Sequence, residues 1–271
     1  MTDARSHNID FSFFNPDEYL NEYYRSVRFE NNELLRFFVK ASKIVPEGST
    51  FLEYGGGPTI YQLVSFTPRL GSICFTDYVG KNIIAVKDWI KKEEHSHDWT
   101  PFIAAALQHE GIEHPSAEQI KEREYQIRAQ LMNFGYVDAF NRHLDEVPLQ
   151  QYDVVSSNFV AESIAFDETS WRKCLDSLLS YVKLGGILCM TAIRGATYWK
   201  TGDKNFPAFS VNARSIKKEL MDRGFEIENI DEIDAEVTDQ KHPDYEGYDG
   251  MVFVIARYKH QQKQKLNSIG K

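Results

Sequence analysis

Hydrophobic positions along this chain switch repeatedly between helical and extended spacing. Leu34, Leu35, Phe38, Val39 and Ile44 recur at helical intervals, and the surrounding aromatic-rich stretch predicts helical structure over 10–45. Phe13-Phe14-Asn15-Pro16 leads into it in extended form, because Pro16 biases Asn15 away from the helical region. Thr50-Phe51-Leu52-Glu53-Tyr54 then reads as a short strand ending in Gly55-Gly56-Gly57-Pro58. A helix is predicted from Thr59 to Ser65, a second strand from Ser72 to Asp77, and a helix from Asn82 to Lys91 with Ile83, Ile84, Val86, Trp89 and Ile90 as its apolar positions. Residues 92–131 are polar and helix-prone with no strand signal, and a helix starts near Ser116 and runs to about Met132. Tyr152–Ser157 is a third strand. Trp171–Tyr181 is a helix that Leu184-Gly185-Gly186 stops. Ile187–Ile193 is a fourth strand, Ser210 caps a helix running to Met221 before Gly224, and Met251–Ala256 is the last strand. Strands alternating with helices predict an open α/β sheet. No internal repeat or linker interrupts the order, so 1–271 reads as one domain, with a helical lid over 10–45, a helical insertion over 92–132 and a loose polar tail over 261–271.

Composition narrows the function. The chain has 271 residues, enough for a sizeable core, and 42% hydrophobic with 13% aromatic residues marks it as globular. Its 31 Lys+Arg against 40 Asp+Glu give a net charge of −9, which counts against a phosphate-tracking nucleic-acid binder. No apolar run near Met1 resembles a signal peptide, and no window of membrane-spanning length is apolar, so the expected setting is cytoplasmic, with no membrane partner. Cys74, Cys174 and Cys189 are odd in number and lack CxxC spacing, which argues against a disulfide framework or a zinc site. His95 and His97 flank Ser96 in a polar stretch and read as solvated.

The candidate chemistry sits in the glycine turn. Ligands of a doubly wound sheet bind beyond the carboxyl ends of its strands, where glycines let the backbone come close. An acid ending the second strand can hold two ribose hydroxyls, and Asp77 ends it here. The turn is not GxGxxG, because Ile60 stands three positions after Gly57, so a pyrophosphate-binding dinucleotide site is disfavoured. A ligand with a ribose and no phosphate fits better, and S-adenosylmethionine is one such ligand. A plain strand–helix turn with a surface acid is the alternative.

Gly55-Gly56-Gly57-Pro58-Thr59-Ile60-Tyr61-Gln62-Leu63 resembles the cofactor loop of a small methyltransferase family: the nicotinamide, phenylethanolamine and indolethylamine N-methyltransferases and the thioether S-methyltransferase. Phe14-Asn15-Pro16-Asp17-Glu18-Tyr19-Leu20 with Tyr23-Tyr24, Thr76-Asp77-Tyr78 with Asn82, Asp98-Trp99-Thr100-Pro101, and Leu184-Gly185-Gly186 with Tyr198 agree with it, from about Phe14 to Tyr258. The resemblance implies a Rossmann-like class I fold, with a mostly parallel seven-stranded sheet, helices on both faces and an N-terminal helical lid. It implies S-adenosyl-L-methionine as cofactor and a small-molecule acceptor, methylated on an amine or heteroaromatic nitrogen by direct in-line displacement; O- or S-transfer, or a non-catalytic cofactor-binding partner, is the alternative. By position it assigns Tyr24 to the cofactor's carboxylate end, Gly55 and Gly57 to its methionine part with Tyr61 beside it, Asp77 with Tyr78 and Asn82 to its ribose, and Asp138 and Ala139 to its adenine, with Thr59 as a further cofactor-binding residue. Glu53 matches the acid found just before the turn, where Asp is commoner, and its plain structural role is to fix the turn through backbone N–H groups. Tyr23 and Trp89 are expected to be packing residues.

For the acceptor the resemblance offers Glu162, an acid that accepts a proton or hydrogen bond from an amine; a helix N-terminal acid is its plain alternative. Tyr19 with Tyr198 and Trp199 supplies an aromatic wall, Tyr19 being catalytic as well, and Phe206-Pro207-Ala208-Phe209 lies nearby. Ala192 and Gly195 occupy positions where relatives carry acceptor-binding acids, so nicotinamide and catecholamines are disfavoured. Arg194 stands there instead, either binding an anionic group on the acceptor or lying on the surface.

Overall fold

The computed structural model describes residues 11–141, 146–147, 150–242 and 244–259. The tail expected over 261–271 lies outside them, as does residue 10 of the lid. The strands are β1 (Ser49–Tyr54), β2 (Leu70–Asp77), β3 (Leu131–Tyr136), β4 (Tyr152–Asn158), β5 (Val182–Arg194), β6 (Tyr198–Thr201), β7 (Lys204–Pro207), β8 (Phe225–Asp234) and β9 (Gly250–Tyr258). Seven of them form one sheet in the order β3-β2-β1-β4-β5-β9-β8, parallel except for β9, and β6 pairs with β7 as a separate hairpin. The order reverses direction between β1 and β4, which opens a crevice beyond their carboxyl ends.

The helices are α1 (Pro16–Tyr23), α2 (Phe29–Ser42), α3 (Gly80–Lys91), α4 (Thr100–His109), α5 (Ala117–Gln130), α6 (Glu168–Leu179) and α7 (Ala213–Asp222). Successive side chains of a strand point to opposite faces, so the sheet separates two cores. Phe51, Ile73 and Val154 pack with α2 to α5 on one face, while Leu52, Cys74 and Val155 pack with α6 and α7 on the other. At the lid, Asn15 caps α1 by accepting from Asp17 N at 3.0 Å, and Pro16 occupies the first turn, where its missing N–H costs nothing.

Five local readings change. Thr59–Ser65 is not an α-helix but a short 3-10 turn over Tyr61–Leu63, because the segment is brief and Pro68 closes it. The helix expected to reach Met132 ends at Gln130, and Leu131–Tyr136 becomes the edge strand β3. Asn133 and Gly135 mask its strand signal, and it pairs on one side only, with β2. Leu184-Gly185-Gly186 lies inside β5 and does not stop α6, whose cap is Ser180. The cap of α7 is Asn212, which accepts from Ser215 N at 2.9 Å, and not Ser210. The acidic stretch after Gly224 contains the edge strand β8, whose Glu226, Glu228, Asp231 and Glu232 keep an exposed edge from pairing with another chain. Among the described residues no helix is long and apolar enough to cross a membrane, and no cluster of His, Cys, Asp and Glu is placed to hold a metal.

Candidate active site

A cavity of about 230 Å³ opens over the carboxyl ends of β1, β2 and β4 and is covered by α1 and the start of α2. Its floor is the glycine turn. Gly55 and Gly56 donate their N–H groups to Thr76 O, at 3.1 and 2.9 Å. Gly55 has φ +73°, and a Cβ there would stand 2.6 Å from Val160 Cγ2. Gly57 has φ +62°, yet a Cβ would meet nothing within 4 Å, because it would point into the cavity's open space. Thr59 donates to Gly56 O at 2.8 Å and Gln62 Nε2 to the same oxygen at 3.2 Å, so buried side chains fix the turn from behind.

Asp77 ends β2 beside this turn. Its carboxylate accepts from Gly57 N at 2.8 Å, Val79 N at 2.7 Å and Asn82 Nδ2 at 3.0 Å. Burial pushes its carboxyl up, and these donors oppose the shift. Asn82 Oδ1 is buried with no hydrogen-bond partner although Asn82 lines the cavity, an acceptor suited to a ligand hydroxyl. Tyr78 is half exposed at the rim and packs on Tyr136 at 5.3 Å. Asp138 and Ala139 line the same end, brought there by the unexpected strand β3. Asp138 Oδ1 accepts from Phe140 N at 2.9 Å and Asn141 N at 3.1 Å, which shapes the turn around Ala139. A nucleoside fits this half: acceptors for ribose hydroxyls next to a small-residue floor.

Tyr24 and Tyr61 line the middle. Their rings stack at 4.9 Å, and Tyr24 Oη donates to Tyr61 Oη at 3.3 Å. Burial holds both phenols well above the ordinary tyrosine range. His97 is only partly exposed, although its polar surroundings suggest a solvated side chain. Its Nε2 lies 3.0 Å from Tyr24 O and its ring meets Trp99 edge-on at 4.5 Å, with burial pushing its pKa down. His95 is exposed.

The other half of the cavity is aromatic. Tyr19 lies 5.1 Å from Tyr23 and 6.4 Å from Trp199, and Phe14 lies 6.3 Å from Trp199. Trp199 is held by stacking on Phe206 at 4.4 Å and by donating Nε1–H to Ser163 O at 2.9 Å. Tyr23 is more than packing: it lines the cavity and donates Oη–H to Lys200 O at 2.6 Å, tying α1 to β6. Trp89 packs under the Arg128 guanidinium, 3.9 Å from the ring.

Three acceptor candidates do not reach the cavity. Glu162 is fully buried behind its wall, in a turn well before α6. Glu162 Oε1 accepts from Ile193 N at 2.9 Å, its backbone carbonyl accepts from Phe209 N at 2.8 Å, and Oε2 has no partner. Burial pushes its carboxyl up to about 7. Arg194 turns toward β8, where it pairs with Asp234, approaches Glu232 at 3.6 Å and donates to Asp249 O at 2.9 Å. Tyr198 sits on the outer side of the hairpin, against Gly247, while the next residue, Trp199, faces inward. Glu53 does not bind turn N–H groups; Oε1 accepts from Asn158 Nδ2 at 3.1 Å, and burial pushes it to about 7. Sequence reasoning missed Arg28, Glu30, Tyr248 and Met251, which complete the cavity. Glu30 and Tyr248 are 218 positions apart, and nothing local joins them.

A model described as the NNMT/PNMT/TEMT family matches residues 4–259. The chain is 28% identical to nicotinamide N-methyltransferase of Sus scrofa over 82% of this chain and 86% of that protein. It is 27% identical to indolethylamine N-methyltransferase of Oryctolagus cuniculus over 91% of this chain and 94% of that protein. Among solved structures, the DhpI–SAH complex superposes with a TM-score of 0.53 at 14% identity, covering 91% of this chain and 92% of that one, a likeness of fold.

Proposed function

This chain belongs to the NNMT/PNMT/TEMT family and is an S-adenosylmethionine-dependent N-methyltransferase, and from that premise we propose how its residues divide the work. The acceptor is a small amine or heteroaromatic nitrogen held in the aromatic half of the cavity. Bound S-adenosylmethionine supplies a sulfonium-activated methyl group for direct in-line transfer. Asp77 and Asn82 hold its ribose hydroxyls, with Tyr78 at the rim. Gly55 and Gly57 let the backbone approach the methionine part, and Thr59 keeps that turn in shape. Tyr24 and Tyr61 stand along the methionine part, where tyrosine faces favour a cation. Asp138 and Ala139 border the adenine.

Tyr19, Tyr23 and Trp199 grip a flat acceptor and exclude water around it. Most of the acceleration then comes from holding acceptor and methyl in line at near-attack distance, which needs no covalent nucleophile. Tyr19 is the residue assigned to contact the acceptor. Glu162 acts through others: it fixes Ile193, which lines the cavity, and through Phe209 the segment that carries the aromatic wall. Arg194 and Tyr198 hold the hairpin end and β8 in place. The free, buried Cys74, Cys174 and Cys189 support a reducing compartment such as the cytoplasm.

One observation carries this reading: a single cavity joins the glycine turn and Asp77 to an aromatic wall contributed by the lid and the hairpin. Calorimetry with S-adenosylhomocysteine, followed by a labelled-methyl assay across amines, ring nitrogens, thiols and phenols, tests it. Saturable binding and turnover on a nitrogen acceptor are expected. Absence of binding at millimolar ligand, or turnover confined to oxygen or sulfur acceptors, overturns it.

A further inference from the structure

Glu53 lies directly beneath the floor of the cavity. It is a fully buried residue of β1, and its side chain packs under the glycine turn: a Cβ built on Gly56 would stand 2.8 Å from Glu53 Cγ. Gly56 itself lines the cavity. The neighbours of the carboxyl present donors to it. Thr191 Oγ1 donates to Asn158 Oδ1 at 3.1 Å, and Asn158 Nδ2 donates in turn to Glu53 Oε1 at 3.1 Å. Asn158 also lines the cavity, so this chain of donors reaches the carboxyl from the ligand side. Ser156 and Gln62 favour the ionised form as well.

No cation answers that charge. Glu53 Oε2 is enclosed without a hydrogen-bond partner. The titratable groups that act on Glu53 are Asp77 from β2, Tyr61 from the turn after the glycines and Cys189 from β5, none of which carries a positive charge in either form. β4 adds only the neutral Ser156 and Asn158. No lysine, arginine or histidine among the described residues bonds to either oxygen. A buried carboxylate needs a compensating charge or gives up its ionisation. Burial accordingly pushes this carboxyl up to about 7, against the pull of its donors. The missing positive charge is one that the cofactor brings and its by-product lacks: S-adenosylmethionine holds a sulfonium, S-adenosylhomocysteine a neutral thioether.

Building on the cofactor reading above, we propose that Glu53 is the counter-charge for the sulfonium and sets the preference for S-adenosylmethionine over S-adenosylhomocysteine. Binding of the cation draws the proton off Glu53 into solvent. Once the methyl group has left, the positive charge above the turn is gone, Glu53 takes a proton back from solvent, and the by-product lacks that attraction. Glu53 touches neither ligand and acts across Gly56. The preference therefore grows as pH rises through the range in which Glu53 ionises.

The test uses the full-length protein and both ligands, with no acceptor present. Calorimetry at pH 7 in phosphate and in Tris, buffers of different ionisation enthalpy, counts the protons exchanged. S-adenosylmethionine is expected to release up to about half a proton more than S-adenosylhomocysteine, since a carboxyl titrating near 7 is half protonated there. The ribose and amino-acid ends are common to both ligands, so protons exchanged there cancel in the difference. The affinity ratio of cofactor to by-product is expected to rise roughly five-fold from about pH 6 to about pH 8, the scale of an attraction between two unit charges across a protein interior. Glu53→Gln keeps the shape and the Asn158 bond. It is expected to abolish both the extra proton and the pH dependence of the ratio, while S-adenosylhomocysteine affinity stays within about two-fold, which also shows that the variant is folded. The wild-type proton count decides the matter even where the variant does not fold. Equal proton release by the two ligands, a ratio that is flat with pH, or a pH-dependent ratio that survives Glu53→Gln overturns the proposal. Failure of both ligands to bind strikes the function proposed above and, with it, this inference.

Discussion

Glu162→Gln separates a buried structural acid from a catalytic base. The glutamate is wholly enclosed, one oxygen holds Ile193 N–H at 2.9 Å, and the other has no partner. Glutamine has the same shape, and its carbonyl oxygen keeps the Ile193 bond. What changes is the charge. The folded carboxyl is pushed up to about 7 from an ordinary 4.5, mainly by burial. At pH values below about 4 the acid is protonated in both folded and unfolded chains, and the substitution removes no charge. As pH rises from about 4.5 to about 7 the unfolded chain ionises while the fold retains its proton, so the wild type loses stability relative to the variant. Above about pH 8 the full difference is reached, on the order of 3 kcal/mol in favour of glutamine. Urea unfolding of both proteins across this range measures it. A stability difference that stays flat with pH would refute the reasoning. Activity gives an independent check: the pH–rate profile and kcat of Glu162→Gln are expected to match the wild type within about two-fold, whereas a proton acceptor would lose a limb of the profile.

Asp77→Ala is expected to weaken S-adenosylhomocysteine binding by roughly thirty- to hundred-fold in calorimetry, because hydrogen bonds to a charged group vanish and Gly57 N–H loses its anchor; unchanged affinity would remove Asp77 from the cofactor site. Gly55→Ala and Gly57→Ala are expected to fail differently. The first collides with Val160 and lowers thermal stability, while the second costs about 1 kcal/mol of backbone strain and puts a methyl where the cofactor runs, so affinity falls more than stability. Arg194→Ala is expected to leave KM for the acceptor within about two-fold and to cost up to about 1 kcal/mol of stability, as for a partly exposed ion pair; a large KM effect would return Arg194 to the acceptor.

The site was legible wherever its residues are close in sequence. The glycine turn, Asp77 five residues before Asn82, and the paired lid tyrosines are local patterns whose chemistry is set by backbone geometry and short spacing. The central strands were equally clear, since strands buried on both faces carry apolar runs such as Phe51-Leu52 and Val154-Val155. The edge strands β3 and β8 were not, because a strand paired on one side tolerates glycine, asparagine and rows of acids. Nor could spacing distinguish Trp199 from Tyr198: hairpin register alone turns one inward and the other out. Glu162 looked like an acid beside an acceptor until burial and the Ile193 bond placed it behind the wall.

The sequence by itself therefore determined the class of fold and the glycine turn with its strand-end acid, because these follow from local conformation, while the family resemblance supplied the other residues proposed to meet the cofactor. Tertiary structure decided the acceptor end. There α1, α2, the β6–β7 hairpin and the approach to β9 converge from distant parts of the chain, and only their packing brings Glu30 to Tyr248 and leads Arg194 away. Which carboxylate lines the cavity depends on long-range contacts that no spacing along the chain encodes.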